Sequence, residues 1–216
     1  MHHLWPLLFL LCSILHLYSC FSFREKLRRV TKVALMPLLL LARFTTLPAP
    51  SPLLAAALLL GLAGDVMLLV PSPKSEENGK PALPLLLGIG FFLLGHLFYI
   101  ALFLRRRALF PTGALLFTVL AVCLLLFLIG LRILRPEMGS LFLPGTVYFL
   151  VLMSVFCLSL LSSIGLGRYG QVLGAALFLT SDYILARSIL GHRKKYTNFF
   201  VMLTYILAQA LLAFGF

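Results

Sequence analysis

The sequence predicts an all-α membrane protein, a single bundle of eight transmembrane helices. Three observations carry that prediction. The chain of 216 residues is 62% hydrophobic and only 11% charged, with a mean hydropathy of +1.08, so too little polar material remains to clothe a water-soluble fold. The apolar runs are continuous, without the alternation of polar and apolar positions that a membrane β-barrel imposes. Polar or Pro/Gly breaks separate the runs at close to the 20 or so residues that a helix needs to cross a hydrocarbon core of roughly 30 Å.

Taken in order, the expected spans are 4–21, 31–47, 52–70, 83–104, 108–129, 143–163, 170–190 and 197–215. The first follows Met1, His2, His3 and Leu4, which form no basic n-region, and no small-x-small cleavage site follows it. It is therefore read as a retained helix with native histidines, not as a signal peptide. A basic cluster from Arg24 to Arg29 precedes the second span, which Lys32, Pro37 and Arg43 interrupt. Prolines 48, 50 and 52 introduce the third, and the polar, Pro-rich stretch "PSPKSEENGKPALP" at 71–84 divides it from the fourth. Arg105, Arg106 and Arg107 mark the next break, Arg132 to Gly139 the one after, the Gly/Arg segment 165–170 the next, and Gly191 to Lys195 the last. Only 71–84 is a connection of any size, so residues 1–216 read as one domain.

The net charge of +12 does not imply nucleic acid. The Lys and Arg residues sit in short connections between apolar spans, where they set orientation and meet anionic headgroups. The connections after the first, third, fifth and seventh spans hold eleven of them, against five at Arg43, Arg105, Arg106, Arg107 and Arg168. That asymmetry favours both termini outside the cytoplasm, although the arginine triplet argues the other way. Cys12, Cys20, Cys123 and Cys157 fall in or beside apolar runs with no CxxC spacing, and are read as packing residues.

The chemistry is sought among the six acids. Glu25, Glu76, Glu77 and Glu137 fall in expected loops, whereas Asp65 and Asp182 fall inside the third and seventh spans. A carboxylate in mid-membrane costs at least ~2.5–3.5 kcal/mol, so it persists where it faces the bundle or a wet cavity. Ala57, Gly61 and Asp65 share one helical face, a strip of small residues that admits a neighbouring helix. Gly174, Phe178 and Asp182 repeat that spacing, with Ser181 adjacent. One aspartate kept protonated beside one that is ionised is what general acid/base chemistry requires. The alternatives are that each aspartate only caps or cross-links a helix, or that the two relay protons or ions.

Other polar groups form a candidate shell. His96 and Tyr99 are three apart in the fourth span, Tyr148 lies in the sixth, and Tyr205 and Gln209 are four apart in the eighth. Each alone reads as a satisfied packing residue; together they supply the hydrogen bonds of a polar cavity. Lys32 can pair with an aspartate or a phosphate, or snorkel to the interface. Metal catalysis is poorly supported, since only His16 and His96 lie in spans and no HExxH occurs. No GxSxG and no Gly-rich phosphate loop is present.

The segments "TKVALMP", "GLAGDVMLL", "GHLFYI", "LPGTVYFLVLM", "LFLTSDYILA" and "TYILAQALL" follow one another through spans two, three, four, six, seven and eight. In that order they resemble the YhhN/TMEM86 family of lysoplasmalogenases, from about residue 31 to the C-terminus. The resemblance implies hydrolysis of the vinyl-ether bond of a lysoplasmalogen, giving a fatty aldehyde and glycerophosphoethanolamine or glycerophosphocholine. It places the acidic pair at Asp65 and Asp182, and matches the family's other polar positions at Lys32, His96, Tyr148, Ser181, Tyr205 and Gln209. The implied partners are a one-tailed phospholipid, water and membrane lipids; neither a metal nor an organic cofactor is implied.

Two other functions fit parts of the sequence. An intramembrane aspartyl protease is suggested by "AGD", yet residues 62–65 lack the first glycine of GxGD, residues 181–182 read SD in place of YD, and no PAL element occurs. A small transporter or lipid-binding protein with an aspartate relay would show inverted repeats, which are not evident. The chain is expected in the inner membrane if bacterial and in the endoplasmic reticulum if eukaryotic, and its short loops favour the former.

Overall fold

The computed structural model describes residues 3–47, 51–70 and 82–216. They form α1 (Leu4–Phe21), α2 (Glu25–Thr46), α3 (Pro52–Met67), α4 (Leu83–Leu104), α5 (Ala114–Met138), α6 (Phe142–Leu166), α7 (Gly170–Ile189) and α8 (Thr197–Gly215). Short 3-10 turns cover Arg107–Leu109 and Gly139–Leu141. Most of the expected connection 71–84 lies outside the described residues, as do Lys74 and Lys80.

The expectation of eight transmembrane helices requires correction. α5, its 3-10 turn and α6 join into one helical stretch, Ala114–Leu166, so the described chain has seven such stretches, and five are long and apolar enough to cross a membrane. These are Leu4–Phe21, Leu83–Leu104, Ala114–Leu166, Gly170–Ile189 and Thr197–Gly215. With 16 residues α3 is too short, and α2 carries too much charge, with Arg29, Lys32 and Arg43 in its last 18 residues. Multiple long apolar helices nonetheless make this an integral multi-pass membrane protein.

Element boundaries differ where local chemistry outweighs the hydropathy pattern. α2 begins at Glu25, not 31, because Glu25 in its first turn pairs with Arg28 at 2.7 Å, one turn on. That stabilises a helix start that its charge made look like loop. α5 begins at Ala114, after Pro111 and a Gly113 held at φ 64°, and runs on through Arg132, Arg135 and Pro136 to Gly139 at φ 47°. α3 stops at Met67, while α6 extends three residues beyond expectation to Leu166. Ser51 caps α3, its hydroxyl accepting from the Leu54 amide with Pro52 in the first turn.

The packing follows a ring in which each helix touches the next: α1, α2, α3, α4, α6, α7, α8 and back to α1. α5 folds back along α6, so that Val119 and Cys123 meet Cys157 and Leu161. Small residues set the closest approaches. A Cβ on Gly95 would stand 3.2 Å from the Ala57 carbonyl oxygen, and one on Gly174 would stand 3.1 Å from that of Ala208. Those separations let α3 approach α4 and α7 approach α8 backbone to backbone.

The bundle has two ends. At one, Phe21 of α1 stacks on Tyr196 before α8 at 5.2 Å, and Arg187 and His192 pair with Glu137 at 2.6 and 2.9 Å. At the other, Arg43 donates to the Ala213 carbonyl at 3.1 Å, joining the ends of α2 and α8. The first is called here the α1–α2 end and the second the α4–α5 end.

Candidate functional site

The polar groups of the core fall into two connected sets. Lys32, on the buried face of α2, places its Nζ 3.1 Å from Asp65 Oδ1. Tyr205 of α8 donates to Asp65 Oδ2 at 2.9 Å. Tyr99 of α4 donates to Gln209 Oε1 at 2.8 Å. Lys32 is 7% exposed and Asp65 2%, so the ion pair is shielded, and a hydrogen bond from a third helix holds it. Gly61 makes room for this set: a Cβ there would lie 3.4 Å from the Tyr205 hydroxyl and 3.5 Å from Gln209 Nε2.

The second set is Tyr148 of α6, which donates to Asp182 Oδ2 of α7. Both side chains line a cavity of about 170 Å³ whose walls come from α4, α5, α6 and α7 and are otherwise almost wholly apolar, among them Phe92, Ile133, Leu152 and Leu179. A carboxyl and a phenol are thus presented to a space suited to hydrocarbon. Phe178 packs against the first set, its ring 5.5 Å from that of Tyr205 and 4.5 Å from that of His96.

The depth of the site is set by the helix ends. Lys32 is seven residues from Glu25, Asp65 two from Met67, Tyr148 six from Phe142, Asp182 seven from Ile189 and Tyr205 eight from Thr197. At 1.5 Å per residue, all lie within about 12 Å, along their helices, of the α1–α2 end. The sequence suggests carboxylates in mid-membrane; the structure places them in the half of the bundle nearer the α1–α2 end.

Two expected members of the shell are placed differently. Ser181 donates to the Val201 carbonyl at 3.0 Å, so its hydroxyl joins α7 to α8. The His96 ring bonds through Nδ1 to the Phe92 carbonyl at 2.6 Å, while its Nε2 is buried without a partner. Its other neighbours are the Tyr148 ring at 5.8 Å and the Tyr99 ring at 6.3 Å. The cavity walls escape sequence reasoning. In spans that are apolar nearly all round, no stripe distinguishes a residue facing a cavity from one facing lipid. Among the described residues no three His, Cys, Asp or Glu side chains cluster so as to hold a metal ion.

A model of the YhhN family matches residues 27–216. The chain belongs to the YhhN family. No curated protein and no solved structure gives a significant match. The YhhN match begins at α2, so α1 lies outside it and both polar sets lie within it.

Proposed function

We propose that this YhhN chain is a lipid hydrolase of lysoplasmalogenase type, cleaving the vinyl-ether bond of a lysoplasmalogen to a fatty aldehyde and a glycerophosphodiester. The observation that supports this reading best is the pairing of Asp182 and Tyr148 on the wall of an otherwise apolar cavity, with the Lys32, Asp65 and Tyr205 set behind it. A one-tailed lipid fits such a place: the cavity takes hydrocarbon next to the reactive bond, with the glycerol and phosphate directed toward the α1–α2 end.

Hydrolysis of a vinyl ether starts with proton transfer to the alkenyl carbon that does not bear the oxygen, which leaves an oxocarbenium ion. We assign the donor role to Asp182, whose Oδ2 is engaged by Tyr148, leaving Oδ1 to deliver the proton. Asp65, opposite the Lys32 ammonium, is the ionised partner; from behind the cavity wall its charge stabilises the cation, and the Asp182 carboxylate takes back a proton as water adds. The resulting hemiacetal collapses to aldehyde and free glycerol hydroxyl. Two carboxyl groups divide the work much as they do in glycoside hydrolysis.

In this reading Lys32 serves Asp65 and does not bind phosphate, Tyr148 orients Asp182, and Tyr205, Gln209 and Tyr99 hold Asp65 from behind. His96 presents its unpartnered Nε2 beside Tyr148 as a candidate acceptor for a substrate hydroxyl or ordered water. Purified protein should release aldehyde from a lysoplasmalogen and leave an ester-linked lysophospholipid intact. Cleavage of the ester with no action on the vinyl ether would overturn the proposal.

A further inference from the structure

Away from that site, at the α4–α5 end, a second pocket of about 600 Å³ is lined by Arg106, Arg168, Gly170, Gln171 and Gly215 together with apolar residues of α8. We infer that it is a binding site for a phosphate-bearing anion, shaped for the headgroup of a membrane lipid. Three features of different kinds converge on it.

The first is uncompensated charge. Arg106 and Arg168 both line the pocket. All four acidic side chains of the described residues lie elsewhere: Glu25 opens α2, Asp65 is two residues from the end of α3, Glu137 one from the end of α5, and Asp182 lies in the last half of α7. The pocket lining therefore has two guanidinium groups, Arg43, Arg105 and Arg107 add to the positive charge of the same end, and no carboxylate side chain of the described residues answers them there.

The second is an orphaned donor. Gln171 is 4% exposed; its Oε1 accepts from Arg106 Nη1 at 3.2 Å, and its Nε2 is buried with no partner. Arg106 Nη1 also donates to the Gly215 carbonyl at 3.4 Å, and the guanidinium lies 4.8 Å over the Phe216 ring, which fixes the group at the pocket wall. An anion would satisfy the amide that the protein leaves unpaired.

The third is the start of α7. This 20-residue helix opens at Gly170 with no side-chain cap from Tyr169, so its first amides and the positive end of its dipole are available at the pocket. Leu207 and Phe214 of the lining are exposed on the outer surface of the helix ring, and they continue the pocket into a lipid-facing apolar flank. A phosphate with acyl chains attached matches a cationic head beside such a flank; a free phosphate matches the head alone.

The experiment is thermal unfolding of the full chain in a neutral detergent, with phosphatidylglycerol, diacylglycerol of the same acyl chains, or inorganic phosphate added. Phosphatidylglycerol should raise Tm by about 5 °C near saturation, and diacylglycerol should not. A matching rise with inorganic phosphate would identify a soluble anion as the ligand; no rise would identify the lipid. Either rise should vanish in Arg168→Gln, whose side chain is exposed and whose fold is expected to be intact, and in Gln171→Leu. It should persist in the Lys194→Gln, Lys195→Gln double variant at the other end. Equal shifts with diacylglycerol, an undiminished shift in Arg168→Gln, or no shift with any phosphate compound would overturn the inference.

Discussion

Lys32 Nζ and Asp65 Oδ1 are 3.1 Å apart in a part of the bundle where both residues are less than a tenth exposed. α2 is the most highly charged helix of the chain and α3 the shortest, and this ion pair joins them beneath Tyr205 of α8. Removing one member of a buried pair leaves the other charged and unpartnered, at a cost of about 3–5 kcal/mol.

Lys32→Met should therefore destabilise the protein and also slow the reaction. kcat should fall about 100-fold, within the range for loss of acid/base function, with KM little changed. Steady-state kinetics on folded, size-selected protein measure the two separately. A large rise in KM at unchanged kcat would instead make Lys32 a phosphate ligand.

Tyr148→Phe removes the hydroxyl that holds Asp182 and leaves the ring. Turnover should drop by about 10- to 100-fold, while Tm stays close to that of the parent. Unchanged turnover would show that Asp182 needs no such orientation.

Ala186 lines the cavity from α7. Ala186→Phe should fill part of the 170 Å³ space and raise KM for long alkenyl chains more than for short ones. A chain-length series on both proteins tests this, and a uniform change across the series would place the lipid tail elsewhere.

Gly165 tests the fold independently of the chemistry. A Cβ there would collide with the Leu109 carbonyl oxygen, where the α4–α5 connection crosses the end of α6. Backbone cannot yield as a side-chain tip can, so Gly165→Ala should cost at least ~2–3 kcal/mol, seen as lower Tm and lower yield of monodisperse protein.

What the sequence makes visible follows from contrast. Asp65, Asp182 and Lys32 stand out because a charge in an apolar run has few reasons to be there, and the structure does turn Lys32 and Asp65 toward one another. Tyr148 and Asp182 are 34 residues apart on different helices; their pairing depends on α6 lying against α7, which hydropathy does not encode. Ser181 is misleading for the opposite reason. Its position beside Asp182 suggests a shared site, yet a helix turns about 100° per residue, which aims Ser181 at the backbone of α8. The end of α5 was hidden because Arg132 and Arg135 look like a loop, although both are carried in helix.

The most direct measurement is aldehyde release from a lysoplasmalogen by Asp182→Asn and Asp65→Asn, each purified in detergent and shown to be folded by its unfolding transition. Asparagine keeps the shape of the side chain but can neither deliver the proton nor carry the charge, so each variant should be inactive while still cooperative in unfolding. Parental rates of aldehyde release in both folded variants would contradict the assignment of these two aspartates as the catalytic pair.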